Sequence, residues 1–496
     1  MRVVVVGAGF AGIGAAVKLG EAGYRDVAVL ERAGSVGGTW RDNTYPGCAC
    51  DIPSHLYSFS FAPNPDWTRS FSPQPEIWRY LEEVCERFDV RRWLRCGVEL
   101  TEARWDEAGR CWLLSTSDGP LTADVLVSAA GPLSEPALPA VPGLDQFGGP
   151  VFHSARWDHG VDLAGARVAV IGTGASAVQF VPRIQPTVAR LHVFQRTAPW
   201  ILPRRDRPIP AGRRRLFRAA PTAQQLARAA IYVSREAPVV GFVAAPAALR
   251  AVEALARRHL AAQVPDPALR SVLTPGYRAG CKRILLSDDY YPALLRPNVE
   301  LVGSGLQALT RDGVLAGDGR ARPVDAVIFG TGFAATDPPI AHRIRGRDGV
   351  LLAEAWSAGG MQALRGSTVA GFPNLFLLVG PNTGLGHNSI VFMIECQLRY
   401  LVDALRTMDA RALASIEPTA AAQRRWNADL RRRMRRTVWT TGGCASWYQD
   451  AQGRVPTLWP GSTLRFRRLT RRVDLAEYHV ASAPAPGRGH TVGSPT

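Results

Sequence analysis

Two glycine-rich turns limit the folds open to this chain, because each follows a short apolar strand and opens a helical pattern. The first, Gly7-x-Gly9-x-x-Gly12, comes directly after the run Val3–Val6. In such a turn the first glycine allows a tight reversal, the second lets backbone approach a pyrophosphate, and the third lets helix pack on strand. Glu31 ends the next strand, nineteen residues past Gly12, where it can accept hydrogen bonds from a ribose diol. This unit is therefore predicted to bind a dinucleotide, with the pyrophosphate at the helix N-terminus.

The second turn, Gly172-x-Gly174-x-x-Ala177, differs from the first at the end of the strand that follows it. The residue there is Arg196, in the run Phe194–Thr197, instead of an acid. A carboxylate would repel a 2′-phosphate, whereas a guanidinium can bind it with paired hydrogen bonds, so NADP is favoured over NAD. The alternative is that Arg196 simply faces solvent in an arginine-rich chain. The residues expected near the phosphates of this unit are Thr173, Gly174, Ser176, Ala177, Gln179 and Thr197.

The order of elements predicts an α/β fold with two Rossmann-like, three-layer (ββα) dinucleotide-binding domains and a helical insertion. A proline-studded link at 132–150 leaves the first unit, and residues 210–275 are rich in Ala, Arg and Leu with helical periodicity. The parts on either side of the second unit are expected to close into one domain. The expected boundaries are 1–145 and 332–480 for the first dinucleotide-binding domain, 146–209 and 276–331 for the second, the NADP-binding domain, 210–275 for the helical insertion, and 481–496 for a disordered tail.

Composition excludes several other classes of protein. The net charge is +17, but only two of the 59 basic residues are lysines, so the excess of arginine reflects coding bias as much as binding. Arginine runs at 204–205, 213–215, 431–436 and 465–472 are read as solvated faces, with an anionic partner or a membrane surface as the alternative. None accompanies a recognisable nucleic-acid module, so no nucleic-acid partner is expected.

The cysteines and the apolar runs exclude further classes of protein. The eight cysteines show no CxxC and no paired ligand spacing, so no metal site is predicted. The first residues already form a strand, so no signal peptide is expected, and the apolar stretch near 237–249 is broken by prolines and falls short of a span of about 20 residues. A cytoplasmic protein without a stable membrane span is expected.

Two short segments carry further candidates for chemistry. Between Gly38 and Asp51 the sequence GTWRDNTYPGCACD offers aromatic and backbone surface for a flat ring. Asp51 is expected to be partly buried, although a loop aspartate is more often a turn cap. Lys282 is one of only two lysines in a chain rich in arginine, and Arg283 follows it directly. This pair indicates that the ammonium and the guanidinium have different roles. Lys282 suits a 2′-phosphate and Arg283 an anion over the bound ring; the alternative is a solvated pair on a loop.

A motif just ahead of the second turn brings in a family resemblance. The pattern Phe147-x-Gly149-x-x-x-His153-x-x-x-Trp157-Asp158 resembles the identifying pattern of type I Baeyer–Villiger monooxygenases. The related N/S-oxygenating flavin monooxygenases have tyrosine at the position of Trp157. The segment before Asp51, the Gly-Cys-Lys-Arg run ending at Arg283 and the order of the nucleotide folds also resemble the family, which covers the chain to about Tyr478.

The resemblance implies FAD and NADPH as cofactors and a role for each matching residue. Arg283 would stabilise the flavin peroxide and the adduct it forms, and Asp51 would orient that arginine. Lys282 and Arg196 would bind the 2′-phosphate, while His153 and Trp157 would lie in the link between domains; a structural histidine is the alternative. The other residues expected to hold the cofactors are Gly38, Thr39, Trp40, Asp42, Tyr57 and Asn388.

The implied reaction inserts one oxygen atom from O2 beside a ketone carbonyl, giving an ester or lactone through a flavin C4a-peroxide. N- or S-oxygenation is the alternative, and a non-oxygenating flavin reductase is a further one, against which the missing CxxC argues. Which ketone is used and the oligomeric state stay open. The residues expected at the substrate pocket are Thr383, Leu385, His387 and Trp447.

Overall fold

The computed structural model describes residues 1–482, in which strands and helices alternate as an α/β protein. The strands are β1 (Val3–Val6), β2 (Val27–Glu31), β3 (Leu94–Cys96), β4 (Leu100–Asp106), β5 (Cys111–Thr116), β6 (Gly119–Ala123), β7 (Val125–Ser128), β8 (Val151–His153), β9 (Arg167–Ile171), β10 (Arg190–Phe194), β11 (Ile201–Leu202), β12 (Leu285–Leu286), β13 (Val299–Val302), β14 (Leu306–Thr310), β15 (Gly313–Ala316), β16 (Ala321–Pro323), β17 (Ala326–Phe329), β18 (Ile344–Arg345), β19 (Leu375–Leu377), β20 (Leu413–Pro418) and β21 (Tyr478–Ser482).

The α-helices of the described residues are α1 (Phe10–Glu21), α2 (Thr39–Asp42), α3 (Gln74–Arg87), α4 (Ala175–Ile184), α5 (Ala211–Ala219), α6 (Pro221–Glu236), α7 (Val239–Val243), α8 (Arg250–Gln263), α9 (Pro267–Leu273), α10 (Tyr290–Leu294), α11 (Leu352–Ser357), α12 (Ile390–Ala410), α13 (Ala420–Met434), α14 (Val438–Thr441) and α15 (Thr463–Leu469). Short 3-10 helices lie at Val90–Trp93, Ser154–Arg156, Pro246–Leu249, Pro339–His342, Arg347–Gly349 and Leu475–Glu477.

The first sheet joins strands from both ends of the chain. Its order is β19-β7-β1-β2-β3, and every neighbouring pair is parallel. On one face, α1 packs against β1 in a large core, and on the other face Trp105 and Trp112 of the mixed sheet β18-β4-β5-β6 pack against Val4 and Leu126. The layers are therefore a mixed sheet, a parallel sheet and helix, in the three-layer order that the sequence predicts.

The second sheet is built entirely between the two halves of the first domain. Its order is β13-β10-β9-β17-β8, again parallel throughout. Val178 and Phe180 of α4 pack on one face, and Leu309 and Val314 of the antiparallel sheet β14-β15-β16 pack on the other. The fold is thus an α/β protein with two nucleotide-binding domains of the same three-layer plan, one inserted in the other.

The segment 210–275 forms helices α5 to α9, as its periodicity predicts. Its apolar side chains join a core with the loop before β12 and with the C-terminal part of the chain: Phe242 and Leu249 meet Cys281, Trp439 and Tyr448. No single helix within residues 1–482 is long and apolar enough to cross a membrane; one pair of helical segments bent by 119°, Pro221–Val243 with Pro246–Gln263, passes the same test of length and composition.

The C-terminal tail begins later than its composition predicts. Ala481 and Ser482 belong to β21, which pairs antiparallel with β20. The rest of the predicted tail, 483–496, lies outside the described residues.

The third glycine of the first turn generates a stability prediction. A Cβ at Gly12 would lie 1.8 Å from the carbonyl oxygen of Gly7, so a side chain would push α1 away from β1. We expect Gly12→Ala to lower the free energy of unfolding by about 1–3 kcal/mol, the usual cost of overpacking, and to lower the thermal midpoint measured by circular dichroism. Gly34→Ala is the control, because a Cβ there meets nothing within 4 Å. Equal midpoints for the two variants would contradict the packing role.

Candidate active site

The first candidate cofactor site is a cleft at the carboxyl ends of β1, β2 and β7, where ligands bind in open parallel sheets. Gly9, Glu31, Gly38 and Tyr57 are among its lining residues. A Cβ at Gly38, whose φ is +52°, would lie 3.1 Å from the Cα of Gly9. The absence of a side chain at Gly38 therefore lets its turn pack directly against the turn of Gly9. The N-terminal amides of α1 open into this cleft, which suits a pyrophosphate.

Glu31 lies where its spacing predicts, but it is not free. It is buried, and its carboxylate accepts hydrogen bonds from the amides of Ala8 at 2.9 Å and Ala33 at 3.0 Å. Arg41 lies 3.0 Å from the same carboxylate and 2.7 Å from Asp42. The carboxylate is thus fixed at the strand end by the turn it serves, and Arg41, which the sequence analysis missed, balances its charge.

The aromatic pair of this cleft is also in place. Trp40, buried in α2, donates its indole N–H to the hydroxyl of Tyr57 at 3.1 Å, and the rings meet edge to face. Thr39 and Asp42 line the same cleft. These contacts hold Tyr57 as a rigid wall of the cavity.

The second glycine turn repeats the geometry of the first at the end of β9. Gly172 has φ +109°, and a Cβ there would lie 2.7 Å from the carbonyl oxygen of Gly330. Ala177 takes the place of a third glycine because the residue facing it is itself a glycine: a Cβ on Gly330 would lie 3.4 Å from the Cβ of Ala177. Gly174 caps α4, and the hydroxyl of Thr173 donates to the carbonyl of Thr197 at 3.2 Å.

Arg196 and Lys282 converge from different parts of the second domain. Burial lowers the pKa of Lys282, and the positive charge of Arg196 lowers it further. Arg196 is exposed, while the Lys282 ammonium lies 5.2 Å from the ring centre of Tyr277. Neither forms a salt bridge with an acidic side chain in residues 1–482. Two cations that act on each other and have no carboxylate partner form a site suited to a phosphate.

Gln179 joins the two domains. Its amide oxygen accepts from the Tyr45 hydroxyl at 3.0 Å and from the Ala49 amide at 3.3 Å, and its NH2 group donates to the Ala49 carbonyl at 2.9 Å. Ser176, one turn earlier, is half-buried near Tyr45. The side chain of Gln179 thus holds the segment that leads to Asp51.

Asp51 and Arg283 form a bidentate ion pair across the domains. Arg283 donates from Nε to one carboxylate oxygen at 2.7 Å and from Nη2 to the other at 2.6 Å. Burial raises the pKa of Asp51, but the charge and hydrogen bonds of Arg283 outweigh it, so the net shift is downward. The charge of Asp51 raises the pKa of Arg283. Both charges also act on the pKa of Tyr57, a residue that lines the first cleft: Asp51 raises it and Arg283 lowers it.

Two further arginines surround Asp51, and the sequence analysis missed both. Arg204, read there as part of a solvated face, donates to the carbonyl of Cys50 at 3.2 Å, and its charge lowers the pKa of Asp51. Burial lowers the pKa of Arg235, whereas the charge of Asp51 raises it. The guanidinium groups of Arg204 and Arg235 lie 5.6 and 6.0 Å from the ring centre of Phe71. The reading of Arg204 was wrong because a run of arginines does not show which of them the fold turns inward.

Tyr448 completes the surroundings of Arg283. It is almost fully buried, its hydroxyl has no hydrogen-bond partner within residues 1–482, and the guanidinium lowers its pKa against a larger upward shift from burial. Its neighbour Trp447 is 42% exposed and packs on the Tyr448 ring at 4.5 Å.

The motif that carried the family resemblance lies at the joint of the domains. Phe147 is buried, and a Cβ at Gly149 would lie 2.2 Å from the Asp325 carbonyl oxygen, so only glycine fits there. Trp157 packs edge to face on Phe180 of α4. The side chain of Asp158 accepts from the Gly160 amide at 2.9 Å, closing a turn.

His153 is buried within the same joint. Its Nδ1 accepts from the Ala155 amide at 3.1 Å, and burial lowers its pKa to about 4, helped by Arg156. The ring lies edge to face with Phe333. These contacts fit a neutral histidine in the link between the domains, as either reading of the sequence allows.

The residues predicted at the substrate pocket do not all face one cavity. Thr383 is fully buried and donates to the Gly380 carbonyl at 2.6 Å, and Leu385 packs in a core with Trp459 and Phe466. Only Trp447 is exposed. A role of these side chains at the substrate stays a prediction.

His387 and Asn388 are organised by a glutamate from α6 that the sequence analysis missed. Glu236 accepts from Asn388 Nδ2 at 2.7 Å and from the amide and hydroxyl of Thr463 at 2.7 and 2.8 Å, and His387 Nε2 lies 3.4 Å away. Burial raises the pKa of Glu236, but these partners outweigh it and the net shift is downward. Through Asn388, the carboxylate ties the helical insertion to the start of α12, whose Ile390 and Ile394 line the first cleft.

Comparison with known proteins gives matches over nearly the whole length. A family model described as pyridine nucleotide-disulphide oxidoreductase matches residues 4–209. A protein of Streptomyces coelicolor named Baeyer–Villiger monooxygenase is 57% identical over 489 residues, 98% of this chain and 94% of the relative. A protein of the same name from Pseudomonas aeruginosa is 51% identical over 485 residues, 97% of this chain and 92% of the relative.

Two solved structures have the same fold. An oxidized steroid monooxygenase bound to NADP is 33% identical with a TM-score of 0.84, and OTEMO in complex with FAD and NADP is 29% identical with a TM-score of 0.87. In both comparisons 97% of this chain and 99% of the other chain are covered.

The lowered pKa of Glu236 predicts a pH-dependent contribution to stability. A carboxylate with a depressed folded-state pKa stabilises the protein above its unfolded value, 4.5, and loses that contribution as pH falls through the folded value. We expect Glu236→Gln to cost about 1.5–3 kcal/mol at neutral pH, the size of hydrogen bonds to a charged group. The difference from wild type should shrink below pH 4.5 in urea unfolding experiments.

Glu21→Gln is the control for that experiment, because Glu21 forms an exposed ion pair with Lys18. Such pairs contribute about 0–1 kcal/mol, so this variant should stay close to wild type throughout. A Glu236→Gln difference that is constant with pH would contradict the role of the charge.

Proposed function

The chain belongs to the Baeyer–Villiger monooxygenase family, and from this premise we propose that it uses NADPH and O2 to insert one oxygen atom beside a ketone carbonyl, giving an ester or lactone. The observation that carries this proposal is the bidentate pair of Arg283 with Asp51, held beside the first cleft. NADPH, when bound, would supply the electrons, and FAD would use them to activate O2. The protein's share is to bind, to orient and to hold charge.

The residues present fit the two cofactors. Where a side chain would fill the pyrophosphate cradle, Gly9 and Gly38 leave it open, and Glu31 stands at the strand end for a ribose. Trp40, Tyr57 and the start of α12 form the walls of the same cleft. In the second domain Gly172 and Gly174 repeat the cradle, consistent with the FAD and NADP bound by OTEMO.

In this proposal Arg283 stabilises negative charge that develops on oxygen during the reaction. Its guanidinium is protonated, as in any arginine, and the charge of Asp51 raises its pKa further. Asp51 is a positioning residue: it holds two guanidinium nitrogens and leaves the remaining N–H groups to face the reacting atoms. Such fixed charge needs no rearrangement during the reaction, and it is commonly the largest contribution to catalysis.

Arg196 and Lys282 bind the 2′-phosphate of NADPH in this proposal. The charge of Arg196 acts on Lys282, and neither has an acidic partner in residues 1–482. Arg196 follows β10 of the second glycine-turn unit, and Lys282 lies in the loop before β12. Lys282 directly precedes Arg283. The same loop therefore provides one cation that binds the cofactor and one that stabilises charge during the reaction. The expected cytoplasmic location and the substrate contacts of Thr383, Leu385, His387 and Trp447 stay predictions.

Replacement of the catalytic arginine tests the proposal. We expect Arg283→Ala to bind FAD and to oxidise NADPH, but to form no ester or lactone from a panel of ketones analysed by GC–MS. Hydrogen peroxide should account for the NADPH consumed, because without the guanidinium the activated oxygen is lost as peroxide before it reacts with a carbonyl. Wild-type enzyme should convert at least one ketone.

Arg167→Ala is the matched control, since Arg167 forms the same bidentate contact with Asp325 at the protein surface. It should leave product formation unchanged. Ester formation by Arg283→Ala at the wild-type rate would overturn the proposed role, and a wild-type enzyme that oxidises amines or sulfides but no ketone would replace the proposal with N/S-oxygenation.

Cofactor preference tests the phosphate site separately. Arg196→Ala should raise the KM for NADPH and leave that for NADH nearly unchanged, because only NADPH carries the phosphate. Arg190→Ala, at the opposite end of β10, is the control and should keep the wild-type ratio. An unchanged ratio of the two KM values in Arg196→Ala would show that Arg196 faces solvent.

A further inference from the structure

Cys281 and Cys444 form a disulfide that joins two segments next to the candidate active site. They are separated by 163 residues in sequence, and the other six cysteines, all within the described residues, are free. Cys281 directly precedes Lys282 and Arg283. Cys444 lies in the segment 441–450, called here the C-terminal loop, which also carries Trp447 and Tyr448.

We propose that Cys281 and Cys444 are a reversible redox modification site: as a disulfide they hold the C-terminal loop on the loop that carries Arg283, and as thiols they release it. The coupling effect described below rests on the proposed oxygenase function, whereas formation of the bond does not. Nothing in the spacing of the cysteines indicates this pairing, which the tertiary structure alone brings about.

The backbones of the two segments lie close enough together for their cysteines to be cross-linked. The amide of Arg278 donates to the carbonyl of Gly442 at 2.9 Å. A Cβ at Gly442 would lie 2.6 Å from the Cβ of Cys281, so glycine is needed for the segments to approach. Arg278 is itself fixed by a two-pronged contact with Glu253 at 3.1 and 3.2 Å. The Cys281 side of the cross-link is therefore rigid.

The Cys444 side is weakly attached apart from the disulfide. Gly443, Ala445 and Trp447 are exposed. Ser446 bonds only to Gln449 within the loop, while Gln449 donates to the Trp439 carbonyl at 3.2 Å and the Tyr448 carbonyl accepts from Thr457 at 3.0 Å. The disulfide is thus the covalent tie on the exposed stretch between the buried residues Gly442 and Tyr448.

The chemistry requires a two-electron oxidant, and hydrogen peroxide is the one that a flavin oxygenase releases when its reaction fails to reach product. Cys444 is half-buried and Cys281 fully buried, so peroxide reaches Cys444 first. Its thiolate takes one oxygen from H2O2 to give a sulfenic acid, and the second oxygen leaves as water after taking up protons. The Cys281 thiol then displaces the sulfenic hydroxyl as a second water, forming the S–S bond; a dithiol reductant returns the two electrons.

The cross-link has a direct route to the reacting groups. Tyr448, four residues beyond Cys444, is buried near Arg283, and the Trp447 ring packs on it at a tilt of 54°. Holding these rings in place excludes water from the guanidinium, which protects activated oxygen from loss as peroxide. Peroxide released by a loosened loop would therefore restore the closed form that releases less of it.

The test uses the full-length FAD-containing enzyme in two states, after dithiothreitol and after added hydrogen peroxide with excess removed. Peptide mass spectrometry without reduction should find the Cys281–Cys444 linked peptide only in the oxidised state. Chymotrypsin should cut after Trp447 severalfold faster in the reduced state, because the loop is then free. During turnover with NADPH, the reduced state should release a severalfold larger share of its electrons as hydrogen peroxide.

Variants separate this site from the other cysteines. Cys444→Ser should behave as the reduced enzyme in both states, while Cys96→Ser and Cys111→Ser, which replace partly exposed free cysteines, should switch as wild type does. The absence of the linked peptide after oxidation, or equal chymotrypsin rates in both states, would overturn the proposal. Because these two measurements use added peroxide and no ketone, they decide the cross-link even if the enzyme makes no ester.

Discussion

The ion pair of Asp51 with Arg283 is the contact on which the arrangement of this protein depends, because its partners come from different domains. Asp51 lies in a loop of the domain built from both ends of the chain, and Arg283 lies in a loop of the inserted domain. The two side chains are 29% and 24% exposed, between a surface pair, which contributes about 0–1 kcal/mol, and a buried pair, in which loss of one partner costs about 3–5 kcal/mol. The pair therefore adds little to the free energy of folding, but it holds the charge of Arg283 at a fixed position.

The surroundings of the pair explain how that place is kept. Gln179 holds the segment before Asp51 by three hydrogen bonds to Tyr45 and Ala49, and Trp157 packs on the same helix as Gln179. On the other side Arg278 fixes the loop before Arg283. The contacts of Gln179 join residues 130 or more positions apart, whereas Trp157 with Phe180 and Arg278 with Glu253 are 23 and 25 positions apart. Because Gln179 belongs to the inserted domain and Tyr45 and Ala49 to the other, the position of Asp51 relative to Arg283 depends on how the two domains pack.

A carboxylate of the helical insertion forms a second link between distant parts of the chain. Glu236, at the end of α6, accepts hydrogen bonds from Asn388 and Thr463. The disulfide of Cys281 with Cys444 adds a covalent tie to the same core of the helical insertion, the Arg283 loop and the C-terminal loop. The helical insertion thus contributes Glu236, whose carboxylate binds Asn388 just before α12, and side chains of the core that contains Cys281 and Tyr448.

The sequence alone determined the two nucleotide folds, the order of their strands and the place of the glycines, because these follow from local rules. A positive φ at Gly7 or Gly172 and the short distance from Gly12 to Gly7 are properties of a turn within one strand–helix unit. The pairing of Asp51 with Arg283 came from the family resemblance, and the structure agrees with it. Only the tertiary structure decided that Arg204 and Arg235 turn inward, that Gln179 serves the other domain, and which two of eight cysteines meet. The physical reason is that these contacts join residues more than a hundred positions apart or choose one arginine among many, and neither spacing nor periodicity carries that information.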